Sequence, residues 1–277
     1  SAAHVVIDSL GTLPITSRLN ATQNGYLDIR VYGENADVVT AADLQVSSGN
    51  TENGAGAGWI RLTADKGSIL NANGSKIIGD GSHLVLTAQG GIGTLAAPVL
   101  SRVSKLTAAT GQTRPGDIVI REDDDLNIVK TGNAPIYEID GYTISAPSIT
   151  TDWMKPTIDG YNHAGLGVAA GNMDVALVGV DARLTHESGE IFNRSGAGNT
   201  TLGADDLDFL VGAGTVSGTG ELTIRANSLV WDYQLGSAGE TPSGTDYARG
   251  VLTNSFEMSM RDIEALRDGF SKVTIGR

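Results

Sequence analysis

The chain contains no cysteine in 277 residues. Disulfide staples, thiolate metal sites and cysteine nucleophiles are therefore excluded. Aromatic residues make up only 5% and charged residues 18%, both thin for an ordinary globular domain. No apolar run approaches the roughly 18 residues of a membrane-spanning helix, so no helical membrane span is expected. No initiator methionine, basic leader or apolar signal core opens the sequence, and Ser1 reads as a cut point, after processing or inside a longer polypeptide. Basic residues are also few. Lys and Arg number 19 against 32 Asp and Glu, for a formal charge of -13. Recognition of nucleic-acid phosphates needs a basic surface, so nucleic acid is not an expected partner. An acidic surface suits solubility, or cations as partners.

Glycine is what the chain has in excess, at 37 residues, about twice the usual share. It shows no strict third-residue period, which excludes collagen. The hydrophobic share of 40% excludes a disordered chain. This balance predicts an all-β chain with many turns, whose narrow interior is filled by small and β-branched residues. Short strands are legible along the first half, such as residues 4–8, 26–32 and 59–63. Leu27, Ile29 and Val31 alternate with Asp28, Arg30 and Tyr32, the period-two pattern of a strand with one buried face. Clusters such as Ser48-Gly49-Asn50 and Gly79-Asp80-Gly81-Ser82 punctuate the strands as turns.

Internal repetition is the most specific signal. Leu-Thr-Ala followed by Gly recurs at Leu62-Thr63-Ala64 with Gly67, Leu86-Thr87-Ala88 with Gly91, and Leu106-Thr107-Ala108 with Gly111; Leu222-Thr223-Ile224 is a later relative. Strand-and-turn repeats of roughly 20 to 30 residues indicate a β-solenoid, in which each coil buries its apolar side by stacking on its neighbours. A β-sandwich with similar strands is the competing reading. At ~22 residues per coil the chain makes on the order of ten coils and a rod roughly 50 Å long. The expected organisation is β-solenoid coils over 1–134, an irregular insertion rich in Pro and aromatic residues over 135–175, renewed coils over 176–235, and a loop, capping helix and terminal strand over 236–277. The helix is predicted over 258–268, with Ser259 as cap, Asp262 three residues on, and Gly269 as stop.

Some segments resemble a known family. Leu86-Thr87-Ala88-Gln89-Gly90-Gly91-Ile92-Gly93-Thr94 with Ala97-Pro98-Val99 resembles a coil of bacterial haemagglutinin-like surface repeats. The stretch from Gly116 to Leu126 is similar to another coil of the same proteins, and the stretch from Asp268 to Arg277 resembles the end of a module in giant adhesins of Gram-negative bacteria. The resemblance covers about half of the chain. It implies a right-handed parallel β-helix, a cell-surface or extracellular location, and a structural or adhesive role, and it carries over no catalytic residues.

Candidate sites follow from residue chemistry. Asp123 and Asp125 are candidate Ca²⁺ ligands, because that hard cation takes several oxygens; a solvated turn between Ile120 and Leu126 is the other reading. No cofactor is expected beyond this calcium. Asp206 and Asp208 share a side of an extended segment and are candidate paired carboxylates for glycoside chemistry, against a simple turn leading into Phe209. The four histidines, His4, His83, His163 and His186, have no metal-ligand spacing. Tyr137, Tyr142, Trp153 and Tyr161 are candidate binding residues, or a small core pinning the insertion. Val273 and Ile275 in the terminal strand are candidate assembly contacts, since an open strand edge pairs with another strand. The chain is therefore expected to be a non-enzymatic structural or adhesive module, with end-to-end self-association as one outcome. Its expected partners are other copies, neighbouring modules, surface glycans or proteins of another cell. A glycan-binding module or a β-helix polysaccharide lyase or hydrolase is the alternative.

Overall fold

The computed structural model describes residues 5–22, 25–46, 58–111, 114–130, 138–139, 142–143, 164–227, 232–237 and 255–276. Among these the chain is all-β with one short helix, Met260–Ala265 (α1). Strand pairing is parallel throughout, apart from the antiparallel pair Glu138–Ile139 and Tyr142–Thr143. Parallel neighbours need the chain to travel back before each new strand. Where no insertion falls between strands, the sequence does so at a nearly fixed interval. In one ladder Leu27 lies beside Val5, Leu84 beside Ile60, Leu106 beside Leu84 and Ile128 beside Leu106, each 22 to 24 residues on.

A second ladder keeps an unbroken order. It runs from Leu13–Ile15 through Val38–Thr40, Ile69–Asn71, an isolated bridge at Ile92, Ile118–Glu122, Met173–Leu177, Thr200–Gly203 and Glu221–Arg225 to Lys272–Ile275. One hydrogen bond recurs along it. Leu13, Val38, Ile69, Ile92, Ile118 and Met173 each donate N–H to the carbonyl of Asp37, Ser68, Gly91, Asp117, Asn172 and Asn199 respectively, at 2.8 to 3.0 Å. The interior is one main, mostly aliphatic cluster stacked in register, such as Ile29, Leu62 and Leu86, beside a small second cluster of Ala109, Ala169 and Phe192. Each return of the chain to the same parallel ladder is called a lap, and stacked aliphatics remove apolar area from water at each one without large side chains, which is why so few aromatics suffice.

The Leu-Thr-Ala repeats stack only in part. Leu62-Thr63-Ala64 lies beside Leu86-Thr87-Ala88 residue for residue. The third copy is displaced: Leu106 lies beside Leu84, and Ala108 beside Leu86. A slip of two keeps the same side chains inward, so the core survives it. Leu222-Thr223-Ile224 belongs to the other ladder, beside Thr200-Thr201-Leu202.

Glycine marks one corner. Gly67, Gly90, Gly116, Gly171, Gly198 and Gly220 each stand two residues before the inward residue that opens the second ladder. A Cβ on Gly67, Gly198 or Gly220 would overlap the carbonyl oxygen of Ala36, Gly171 or Gly198 in the lap beneath. The next residue in each lap brackets the one above. Thr12 Oγ1 accepts from Asp37 N (3.1 Å), Asp37 Oδ1 from Ser68 N (2.7 Å), and Ser68 Oγ from Gly91 N (3.2 Å). Past Gly91 the ladder resumes with Asp117 Oδ1 accepting from Asn172 N (2.7 Å), Asn172 Oδ1 from Asn199 N (3.0 Å) and Asn199 Oδ1 from Glu221 N (3.0 Å).

Two expected boundaries move. The main sheet resumes at Ala164–Val168, inside the stretch set apart as 135–175, where Leu166 stacks between Ala108 and Ile191. Apolar Leu166 and Val168 supply that lap's buried face, a strand pattern too short to stand out beside the Pro and aromatic residues before it. The helix is also shorter than 258–268. Met258 is buried in the strand Ser255–Ser259, and Leu266 is already extended as the bridge partner of Val216. Ser259 caps the helix as expected, with a reciprocal capping box to Asp262.

Candidate functional site

The acidic run after Arg121 disperses. Arg121 holds Asp174 in the next lap through two bonds, at 3.0 and 2.9 Å. Glu122 turns inward, in register with Ser101 below and Leu177 above. Asp123 pairs with Lys76, a residue of an earlier lap. Asp124 Oδ1 accepts the N–H of Asp125 (2.9 Å), and Asp125 Oδ1 accepts the N–H of Arg183 (2.9 Å). Asp123 and Asp125 stand in the bend between the strands Ile118–Glu122 and Leu126–Ile128, and they bind different laps rather than one point. Among the described residues no three His, Cys, Asp or Glu side chains gather as a metal site.

The second acidic knot is spent in the same way. Asp205 bridges two neighbours, accepting from Asp181 N (3.0 Å) with one oxygen and from Asn227 N (3.1 Å) with the other. Asp206 takes Arg183 Nε at 2.5 Å, and Asp208 pairs with Arg261. Burial pushes the Asp208 carboxyl above its ordinary value, while Arg261 beside it pulls the other way. The two carboxylates thus each face an arginine, one from below and one from above.

Three buried titratable groups carry no motif. The Glu122 carboxylate accepts Ser101 Oγ–H (2.6 Å), Val103 N–H (3.1 Å) and Asp123 N–H (3.0 Å), yet burial raises it to about 7. His83 stacks against Trp59, ring centroids 4.4 Å apart, and burial, with Lys105 adding to it, lowers its pKa to about 3. Thr107 gives its hydroxyl proton to Val129 O, so His83 Nε2–H is the donor to Thr107 Oγ1 (2.8 Å). His186 occupies an aliphatic column between Ile128 and Phe209. It donates Nε2–H to Gly189 O (3.0 Å), and burial lowers it to about 4. Period-two patterning places all three residues on strands, but only the lap register shows that they are enclosed.

At one end of the stack the helix closes the ladder that ends at Asp206–Phe209. Asp262 Oδ1, beyond its capping role, accepts the N–H of Phe209 (2.7 Å). The second ladder ends instead on Lys272–Ile275. Ile275 packs against the core, while Val273 is 45% exposed. The aromatic candidates Tyr137, Trp153 and Tyr161 lie outside the described residues. The backbone of Tyr142 pairs with Ile139 in the antiparallel two-residue strands, and its side chain lies outside the described ones.

Compared with protein-family models, curated proteins and solved structures, the chain gives no match. The class the coordinates define is an all-β protein of parallel sheets.

Proposed function

We propose that the chain is a right-handed parallel β-helix module of a bacterial cell-surface or extracellular protein, with a structural or adhesive rather than catalytic task. The observation that carries this reading is the recurrence of one inter-lap hydrogen bond over six consecutive laps above a continuous aliphatic core. A repeated bond of this kind makes a stack stiff along its length, and stiffness with reach is what a spacer or adhesin stalk needs. The carboxylates that would serve a polysaccharide-cleaving site are engaged lap to lap with Lys76, Arg183, Arg261 and backbone N–H groups. The surface location rests on the resemblance to haemagglutinin-like coils.

Small-angle scattering and electron microscopy of the purified chain test the shape. Nine laps at the ~4.8 Å strand spacing give a stack of roughly 40 Å, and a rod of that order is expected; a compact sphere overturns the reading. Incubation with uronate-containing glycans, with and without Ca²⁺, is expected to leave them intact. Cleavage would move the chain into the enzyme class.

A further inference from the structure

The second ladder fixes which backbone groups point along the stack. Leu13 N–H donates to Asp37 O (2.9 Å), and Ile15 O accepts from Ala41 N (3.0 Å). Both residues therefore direct their backbone groups toward Val38–Thr40. Alternation turns the backbone groups of the residue between them the other way, away from Val38–Thr40 and toward the edge of the sheet. That residue is Pro14, which has no N–H to offer. At the opposite end Gly276 N donates to Ile224 O (2.9 Å), so Lys272 and Thr274 face Glu221–Arg225. Val273 and Ile275 turn their N–H and C=O outward.

A second copy stacked head to tail would set its Leu13–Ile15 on the Lys272–Ile275 of the first, with Leu13 over Val273. Inside the molecule the residue after the inward one completes each such step. Gly93 N donates to Ile69 O and Val119 N to Ile92 O, both at 2.8 Å. In the stacked copy that donor would be Pro14. The carbonyl of Val273 would be covered and left without a partner, which disfavours the junction. The helix adds a second mismatch, because Asp262 already takes the Phe209 N–H that an incoming strand would use.

We propose that Pro14 is a stop that keeps a second copy from adding at this end, so that the two ends of the stack do not fit one another and head-to-tail growth is blocked. This deepens the stacked-lap reading above and rests on it. It selects against the self-associating outcome while leaving the single module intact.

Sedimentation velocity over a range of concentrations tests it, with negative-stain micrographs of the same samples. The unaltered chain sediments as one species at every concentration. Pro14→Val restores an outward N–H without removing any bond to Val38–Thr40, and self-association rises at least about fivefold. Adding Val273→Pro, which deletes the outward donor at the other end, returns the Pro14→Val protein to a single species. Far-UV spectra check that all three fold alike. End-to-end chains of the unaltered protein, or a Pro14→Val protein no more associated than its parent, overturn the proposal. So does association of Pro14→Val that Val273→Pro leaves unchanged. Each of these outcomes concerns the ends alone, whereas failure of the stacked-lap reading shows in the scattering shape.

Discussion

Along the glycine corner, each lap meets the lap beneath through its backbone. Along the outer face of the strands 26–31 and 59–64, laps meet through side chains such as Asp28 with Arg61 and Arg30 with Asp65. The first arrangement has no slack, because backbone atoms cannot rotate out of the way; the second can re-form or hydrate wherever its side chains reach water. The sharpest contrast lies between two neighbouring glycines. A Cβ on Gly198 overlaps Gly171 O, while one on Gly196 meets nothing within 4 Å. Gly198→Ala is expected to cost about 3 kcal/mol or more, the upper end of the range of forced backbone shifts and overpacking. Gly196→Ala is expected to fall within ~0.5 kcal/mol of the parent. Urea unfolding of the pair measures both, and equal midpoints would erase the contrast.

The interior contains its own contrast, between an acid and two histidines. Glu122 has its folded pKa raised from 4.5 to about 7. The folded state then binds its proton more firmly than the unfolded chain does. That contribution is complete below about 4.5 and is lost as pH rises through about 7. His83 and His186 are lowered from 6.5 to about 3 and about 4. Their contribution is complete above 6.5 and is lost as pH falls through those values. The two slopes oppose each other between about 4.5 and 6.5. Glu122→Gln removes only the first. The stability of the parent relative to Glu122→Gln is expected to fall by up to about 3 kcal/mol between pH 5 and 8. Parallel stability curves for the two proteins would show that burial does not hold the acid protonated.

These contrasts also show how far the sequence could be read. The all-β class, the short strands and the Ser259–Asp262 cap are visible in period-two alternation and capping chemistry, both local. The corner was in plain view as glycines at 67, 90, 116, 171, 198 and 220, yet their spacing varies because insertions fall between laps. Val5 to Leu27 spans 22 residues, Leu27 to Ile60 spans 33 and Ala108 to Leu166 spans 58. A fixed-period search therefore finds the Leu-Thr-Ala repeat, whose third copy is out of register, and misses the column that holds register throughout. Asp123, Asp125, Asp206 and Asp208 looked like sites because acids cluster there. Each acid's partner lies one or more laps away, and no local motif records that distance.

The corner also carries a side-chain bracket, intermediate between backbone contact and surface pairing. Asn172 accepts from Asn199 N and donates toward Asp117 Oδ1 (3.2 Å). Asn172→Ala leaves the Asn199 N–H with water at best. A loss of about 1 kcal/mol is expected, the usual net value of one hydrogen bond. Differential unfolding of Asn172→Ala against Asn172→Asp separates the acceptor from the donor. The aspartate keeps the acceptor but faces Asp117, so a variant as stable as the parent would mean that the bracket contributes only through shape.

The outer-face ion pairs close the series, with the smallest effect at Lys66. Lys66 and Glu34 have side chains 52% and 75% exposed, whereas Arg61 and Asp28 are 15% and 7% exposed. Exposed pairs are worth about 0–1 kcal/mol, because water and salt compete for both partners. Lys66→Met is therefore expected to change stability by less than ~0.5 kcal/mol and to lose even that in high salt. Arg61→Met strands a buried carboxylate against Tyr26, whose own hydroxyl burial and Asp28 already push upward in pKa. Its cost is expected to exceed that of Lys66→Met several-fold and to persist in salt, since a buried partner is screened less. Melting both variants at low and high ionic strength decides whether enclosure, rather than charge count, sets the strength of contacts between laps. If the two respond alike, the outer face behaves as uniformly wet, and only the glycine corner and the aliphatic core hold the laps in register.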